Sequence, residues 1–307
     1  IEGSGLTPDD TVLDAGNVAA GNGGPPNPVK DVVLRADRAD GFVVHNLNTR
    51  HSAEHGIYVL ETDGYRLENF KTFHNEEYGV LTFTSDHGLM TDCDAAGAGD
   101  AALYPGSAPD TGEQVKAPDT VRYNTEIRRC DMHHSTIGYS GTSANAVWMH
   151  HNDFYDNALG FSTDVFTAAG HPGFPQDSDL VEDNEIYSNN FNPYLPGSDV
   201  VPTLGVPVGT GGWIAGGNNN TFRNNHFWDN WRRGMMLFAV PDVFVCPPGS
   251  DDQIPGCDPT KSNTSFRNRF HGNAMGRSPA GEVLPNGVDF FWDENKNTFN
   301  PPENSRN

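Results

Sequence analysis

Residues 40–85 are two consecutive copies of one 23-residue unit, DGFVVHNLNTRHSAEHGIYVLET followed by DGYRLENFKTFHNEEYGVLTFTS. Laid over each other, Asp40 falls on Asp63, Gly41 on Gly64, Asn46 on Asn69, His51 on His74 and Gly56 on Gly79. The register holds into a third copy, where Asp86, Asp92, Cys93 and Leu103 take the places of Asp63, Asn69, Phe70 and Val80. Self-similarity at a short fixed period is the mark of a solenoid, because each unit buries its apolar face only against its neighbours. The unit is too short for a helical hairpin, and Gly, Asn and Asp cut its apolar stretches into strand-length runs. Each unit therefore predicts one coil of a parallel β-helix.

The repeat recurs almost to the C-terminus, so 1–307 is expected to be a single elongated domain of about eight to ten coils. Its 34 Gly and 22 Pro favour turns over helices. The formal charge is −22, from 41 Asp plus Glu against 19 Lys plus Arg. A field of that sign repels nucleic acid and anionic membranes, and disfavours a polyanionic substrate unless a cation such as Ca2+ screens the contact. No apolar run has the length of a membrane span. The segment IEGSGLTPDDTVLDAGN already has the pattern of a coil, with Thr11-Val12-Leu13 as its strand. Because a first coil exposes an unpaired edge, upstream coils, a covering segment or a partner chain is expected there.

Successive coils align on a turn residue: Ser52, Asn75, Ala98, Ser135, Asn157, Asn189, Asn230 and Asn273. Stacked turns favour Asn, whose amide can bond the backbones above and below, so this column predicts an internal polar ladder. Three residues earlier lies a mainly apolar, inward column ending in Phe154, Ile186, Phe227 and Phe270. Five residues earlier, Asn152, Asn184, Asn225 and Asn268 complete four copies of N-x-apolar-x-x-N: NDFYDN, NEIYSN, NHFWDN and NRFHGN.

These motifs, with NTRHSAEHGIYV and HNEEYGVLTF, resemble the right-handed parallel β-helix proteins of the pectate-lyase-like superfamily. The resemblance covers roughly residues 11–295 and implies the fold. It leaves function open among polysaccharide lyases, glycoside hydrolases, uronate epimerases, tailspikes, adhesins and copper-maturation proteins. The pectate-type R-x-P-x-x-R segment is missing, and Ser85-Asp86-His87-Gly88 departs from the D-P-H-E run of mannuronan epimerases.

Cys93 and Cys130 share a column in successive coils, which suits either a buried thiol pair or a disulfide. Cys246 and Cys257 bracket PPGSDDQIPG, and a disulfide clipping the 239–263 insertion is expected. Together they point to a secreted or extracytoplasmic protein.

Chemistry is sought on outward columns and loops. Two residues before the turn ladder run His133, Tyr155, Tyr187, Trp228 and His271, either a sugar platform or a self-stabilising stack. The neighbouring column holds His51, His74 and His134, candidates for a metal or simply solvated turn residues. On the second face, alternation sends Tyr139, Phe161 and Trp213 inward and Tyr104, Ser140, Ser162 and Ile214 outward. Insertions at 107–117, 165–178, 190–211 and 239–263 gather along one edge and wall a cleft. Within it lie Tyr104, Ser140, Thr142 and Asp164, with His171 and Asp177 in one insertion and Trp231, Arg232 and Arg233 two coils away. Asp164 and His171 form the candidate acid/base pair. The other seven, with Tyr155 and Tyr187, are candidates for substrate contacts. Asp164 is expected to be an exposed strand end whose replacement by Asn leaves stability unchanged.

Three functions fit: a secreted carbohydrate-active lyase, hydrolase or epimerase working on an extended polysaccharide; a noncatalytic glycan-binding or surface module; and a His-dependent metal-handling protein.

Overall fold

The computed structural model describes residues 1–16, 30–108, 123–166, 172–238, 240, 265 and 267–293. The strands, in chain order, are β1 (Val12–Asp14), β2 (Val32–Asp37), β3 (Val43–Arg50), β4 (His55–Leu60), β5 (Arg66–Phe73), β6 (Tyr78–Phe83), β7 (Gly88–Ala96) and β8 (Ala101–Gly106). They continue with β9 (Thr125–His133), β10 (Ile137–Thr142), β11 (Val147–His150), β12 (Asp153–Tyr155), β13 (Leu159–Asp164), β14 (Leu180–Glu182), β15 (Glu185–Tyr187) and β16 (Thr210–Ala215). The last are β17 (Thr221–Arg223), β18 (His226–Trp228), β19 (Arg233–Phe238), β20 (Arg269–His271), β21 (Ala274–Met275) and β22 (Phe290–Asp293). Among the described residues the one helical turn is the 3-10 segment Pro8–Asp10, and no helix is long and apolar enough to cross a membrane.

The strands form two stacks. One is a 9-stranded sheet in the order β2-β4-β6-β8-β10-β13-β16-β19-β22; the other, 13-stranded, follows β1-β3-β5-β7-β9-β11-β14-β17-β20, with β12, β15, β18 and β21 alongside. Pairs are parallel and one coil apart, as in Val43↔Arg66 and Val80↔Leu103. Among the described residues nine rungs result, which is the solenoid the 23-residue period predicts.

The corners explain the asparagine motif. Asn46, Asn69, Asp92 and Arg129 sit at left-handed φ within long strands. In later coils His151, Asp183 and Asn224 do the same and split the strand in two. A second corner follows at Asp156, Ser188 and Asp229. In these later coils each left-handed residue is followed by a buried or half-buried Asn that bonds its counterpart one coil on, as Asn152 to Asn184 at 3.0 Å and Asn157 to Asn189 at 3.0 Å, whereas Leu47, Phe70, Cys93 and Cys130 hold that place in the earlier coils. N-x-apolar-x-x-N is thus a three-residue strand held between two corner ladders. Its central apolar residue is buried, Phe154 and Ile186 completely, each worth about 2 kcal/mol.

The final coil corrects the sequence alignment. Phe270 pairs with Phe222, and His271 with Arg223; Asn268 bonds Asn220, and Asn273 bonds Asn225. The ladder after Asn230 continues at Asn286. NTFRNN at 220–225 carries the same motif five residues before NHFWDN, so motif spacing alone allows a slip from one corner to the next. A second correction concerns Trp213, which pairs with Ser162 on the outer face while Ile214 is fully buried. The doublet Gly211-Gly212 hid this register: Gly211, not Gly212, stacks on Gly160 and Gly234.

Cys93 and Cys130 are joined by a disulfide, with Cα atoms 4.4 Å apart. Residues 1–14 lie against the first coil, through the Glu2↔His45 bridge and the pairing of β1 with β3. The proposed Cys246–Cys257 clip lies outside the described residues.

Candidate functional site

The cleft forms on the outer face of the 9-stranded sheet, where β6, β8, β10, β13 and β16 run side by side. Tyr104, Ser140, Thr142, Ser162 and Asp164 line it, as the alternation of the sequence predicts, together with Tyr78, Asp100, Phe166, Leu204 and Trp213. Its volume is about 170 Å³. A larger cavity of about 570 Å³ opens on the last coil, but its lining is mainly apolar, with Leu237, Phe270, Phe290 and Trp292.

One wall comes from the segment between β15 and β16. Thr203 N–H donates to Gly99 O at 2.9 Å, and a Cβ on Gly99 would stand 2.4 Å from Val201 O. Only glycine permits that approach, which brings Thr203 and Leu204 beside Asp100. Asp199 in the same segment bonds His134 Nε2 at 2.9 Å, and Asp156 bonds its Nδ1 at 3.0 Å.

Two carboxyl groups line the cleft, each with its own set of hydrogen-bond partners. Trp213 Nε1–H donates to Ser162 Oγ, whose hydroxyl donates to Asp164 Oδ2. Phe166 N–H donates to Asp164 Oδ1 at 3.1 Å, and Thr142 bonds both Asp164 and Tyr104. On the other side Asp100 is bonded by Tyr78 and Thr203, and the Tyr78 and Tyr104 rings lie 4.5 Å apart. Burial raises the Asp164 carboxyl against these three hydrogen bonds. Burial is also the main reason that Asp100 is pushed up to about 7; the Tyr78 and Thr203 bonds oppose it, while Glu77 and Asp164 add to it. Burial raises both tyrosine hydroxyls as well.

Asp164 is therefore buried, 3% exposed, and the expectation of an exposed strand end is corrected. Phe166 and Trp213 roof the end of β13. Sequence reasoning missed Asp100, immediately before β8, and Tyr78, the first residue of β6, and it missed Trp213 through the register slip. The other expected contacts scatter. Asp177 sits at the corner before β14, bonded to Ser178 and, at 2.5 Å, to Asn219. Trp231 is 55% exposed with Arg232 over its ring at 4.9 Å, and Arg233 lies over Phe291 at 4.6 Å; none of the four lines the cleft. His171 lies outside the described residues.

The aromatic column is a true stack on the opposite stretch of the coil. His133 and Tyr155 lie 4.8 Å apart, Tyr155 and Tyr187 5.3 Å, and Tyr187 and Trp228 4.5 Å, with interplanar angles of 3–11°. The rings use their faces on each other and turn edges outward, so Tyr155 and Tyr187 offer hydroxyls and edges to a ligand. His51 and His134 each face carboxylates, Asp14 and Asp156 with Asp199, and the His74 ring lies 6.2 Å from that of His51; among the described residues none of the three belongs to a cluster of three metal-binding groups. Asp63, Asp86 and His87 do converge, with donor atoms within 4.8 Å of one another, and are the described residues placed to hold a metal.

Residues 32–300 match the family described as the right handed beta helix region. The chain belongs to that family. Among solved structures, this β-helix is similar to the A-module of a mannuronan C-5 epimerase from Azotobacter vinelandii, with TM-score 0.52 and 9% identity over 83% of this chain and 62% of that one. It is also similar to a periplasmic alginate epimerase, with TM-score 0.52 and 12% identity over 82% of this chain and 50% of that one. The chain thus spans about half to three fifths of those structures, and the likeness at such identity shows the fold. No curated protein matches it in sequence.

Proposed function

We propose that this β-helix protein is an extracytoplasmic carbohydrate-active enzyme, whose extended polysaccharide substrate lies across the 9-stranded sheet and reacts in the Asp100–Asp164 cleft. The observation that carries the reading is the pair of carboxyl groups with raised pKa, each held by hydroxyl donors in one walled pocket. Asp100 can give and take a proton near neutrality, and Asp164, fixed by Ser162, Thr142 and the Phe166 N–H, supplies the second carboxyl. Trp213 and Tyr104 position the sugar. Trp231, Arg232 and Arg233 mark a more distant stretch of the same edge. The Cys93–Cys130 disulfide and the names of the two structural neighbours, one of them periplasmic, support the compartment and the substrate class.

The test is turnover of a glycan panel, followed by reducing-end release and by unsaturated-sugar absorbance. Asp164→Asn and Asp100→Asn should each remove turnover while the far-UV spectrum stays β-rich. Full activity in both variants would exclude this cleft as the reacting site.

A further inference from the structure

We infer that the reacting pocket admits an uncharged sugar, so that the substrate is a neutral glycan and not a polyuronate. The inference rests on the reading of the Asp100–Asp164 cleft as the reacting site. Among the described lining residues the ionisable groups are two carboxyls and two phenols, and no Lys, Arg or His stands with them. Where Asp100 and Asp164 are ionised, a uronate entering there would bring a third carboxylate beside them, with no cation among the described lining residues to meet it. In a partly desolvated pocket a like charge at hydrogen-bond range weakens binding roughly tenfold or more.

Among the described residues, Arg35 and Arg233 on this sheet are engaged away from the pocket lining. Arg35 lies over the Tyr58 ring at 5.1 Å and pairs with Asp37 at 3.4 Å. Arg233 lies over Phe291 and reaches Met236 Sδ at 3.7 Å. The whole-chain charge of −22 acts in the same direction over longer range. What the pocket does offer is hydroxyls from Ser140, Thr142 and the tyrosines, beside the Tyr104 and Trp213 rings. That mixture suits the alternating C–H and O–H surface of a neutral pyranose or furanose. At about 170 Å³ the space is below the ~300 Å³ of usual ligand pockets, which fits one ring and not a branched group.

The experiment is affinity electrophoresis of the full chain through gels containing xylan, mannan, β-glucan, galactan, mannuronan or polygalacturonate, at low and moderate salt, with product assays on the same polymers. A neutral polymer should retard the protein and release reducing ends, the two polyuronates should do neither, and Trp213→Ala should weaken the retardation at least tenfold. The double variant Asp100→Asn, Asp164→Asn, checked for a β-rich spectrum, should gain measurable retardation by polyuronate. Turnover of mannuronan or polygalacturonate by wild type, lost in Asp164→Asn, would overturn the neutral-glycan inference and leave the site standing. Failure to engage any polymer would overturn the site and the inference together.

Discussion

Asn157 donates its amide to Asn189 Oδ1 at 3.0 Å on one neighbouring coil and to Met132 O at 2.9 Å on the other. One fully buried side chain therefore ties three coils. Asn189 repeats the arrangement with Asn230 and Phe154 O, at 3.1 and 3.0 Å. Since a coil has no helix-like internal bonding, these amides close its corners against the stack.

Asn189→Ala should accordingly destabilise the protein by about 3–5 kcal/mol, because it takes the shared Oδ1 acceptor from the Asn157 backbone N–H and from one of its two amide hydrogen bonds, and the amide donor from the Phe154 carbonyl, all of them buried. Asn192→Ala, which removes one exposed turn bond to Tyr194 N–H, should cost less than about 1 kcal/mol. Urea unfolding of the two variants checks this. Equal effects would mean that the ladder is not what holds the corner.

A row of acids runs beside the aromatic stack, with Asp131, Asp153 and Glu185 on consecutive rungs. Burial first, then Glu185 and Asp131, pushes Asp153 up to about 6. A carboxyl raised in the folded state binds its proton more tightly there than when unfolded, so stability falls as pH rises from about 4 to about 6. Asp153→Asn should remove this slope and stabilise the protein at pH 7 by about 1 kcal/mol, the shift being discounted for solvent at a half-buried group. Urea midpoints between pH 4 and 8 give the answer, and an unchanged slope would contradict it.

The 23-residue period of residues 40–85 was enough to establish the coil, because parallel pairing forces equivalent residues one coil apart into contact. Tyr104, Ser140, Thr142 and Asp164 were legible for the same reason: period-two alternation from a glycine-led strand fixes which side chains face out. The reading failed where two registers share one local signal. Gly211-Gly212 allows either glycine to start the strand, and NTFRNN and NHFWDN offer two landing places for NRFHGN. Asp100 was hidden for a different reason. Its pocket role depends on the 190–209 segment folding back over Gly99, a contact between residues 104 apart that leaves no periodic trace.

His134 fastens that segment. Its hydrogen bond to Asp156 and, against the cost of burial, its bond to Asp199 push it up to about 9. A histidine raised in the folded state contributes its full stabilisation below the unfolded value of 6.5 and loses it as pH rises through about 9. Amide exchange of residues 198–206 should therefore quicken between pH 7 and 10, beyond the intrinsic pH effect. His134→Ala should show the faster exchange already at pH 7, and His134→Ala exchanging like wild type would show that the wall is held by other contacts.

The last prediction concerns the proton held on Asp100, since its value of about 7 lies where activity profiles are measured. If Asp100 donates that proton, kcat/KM should fall as pH rises through about 7, and Asp100→Asn should lower kcat by about 10²–10⁴ and erase the limb. Its neighbours then move the limb in opposite directions. Tyr78 and Thr203 stabilise the carboxylate by hydrogen bonding, so Tyr78→Phe and Thr203→Val should shift the limb to higher pH. Glu77 raises it by like charge, so Glu77→Gln should shift the limb to lower pH. A limb that ignores all three changes belongs to another residue.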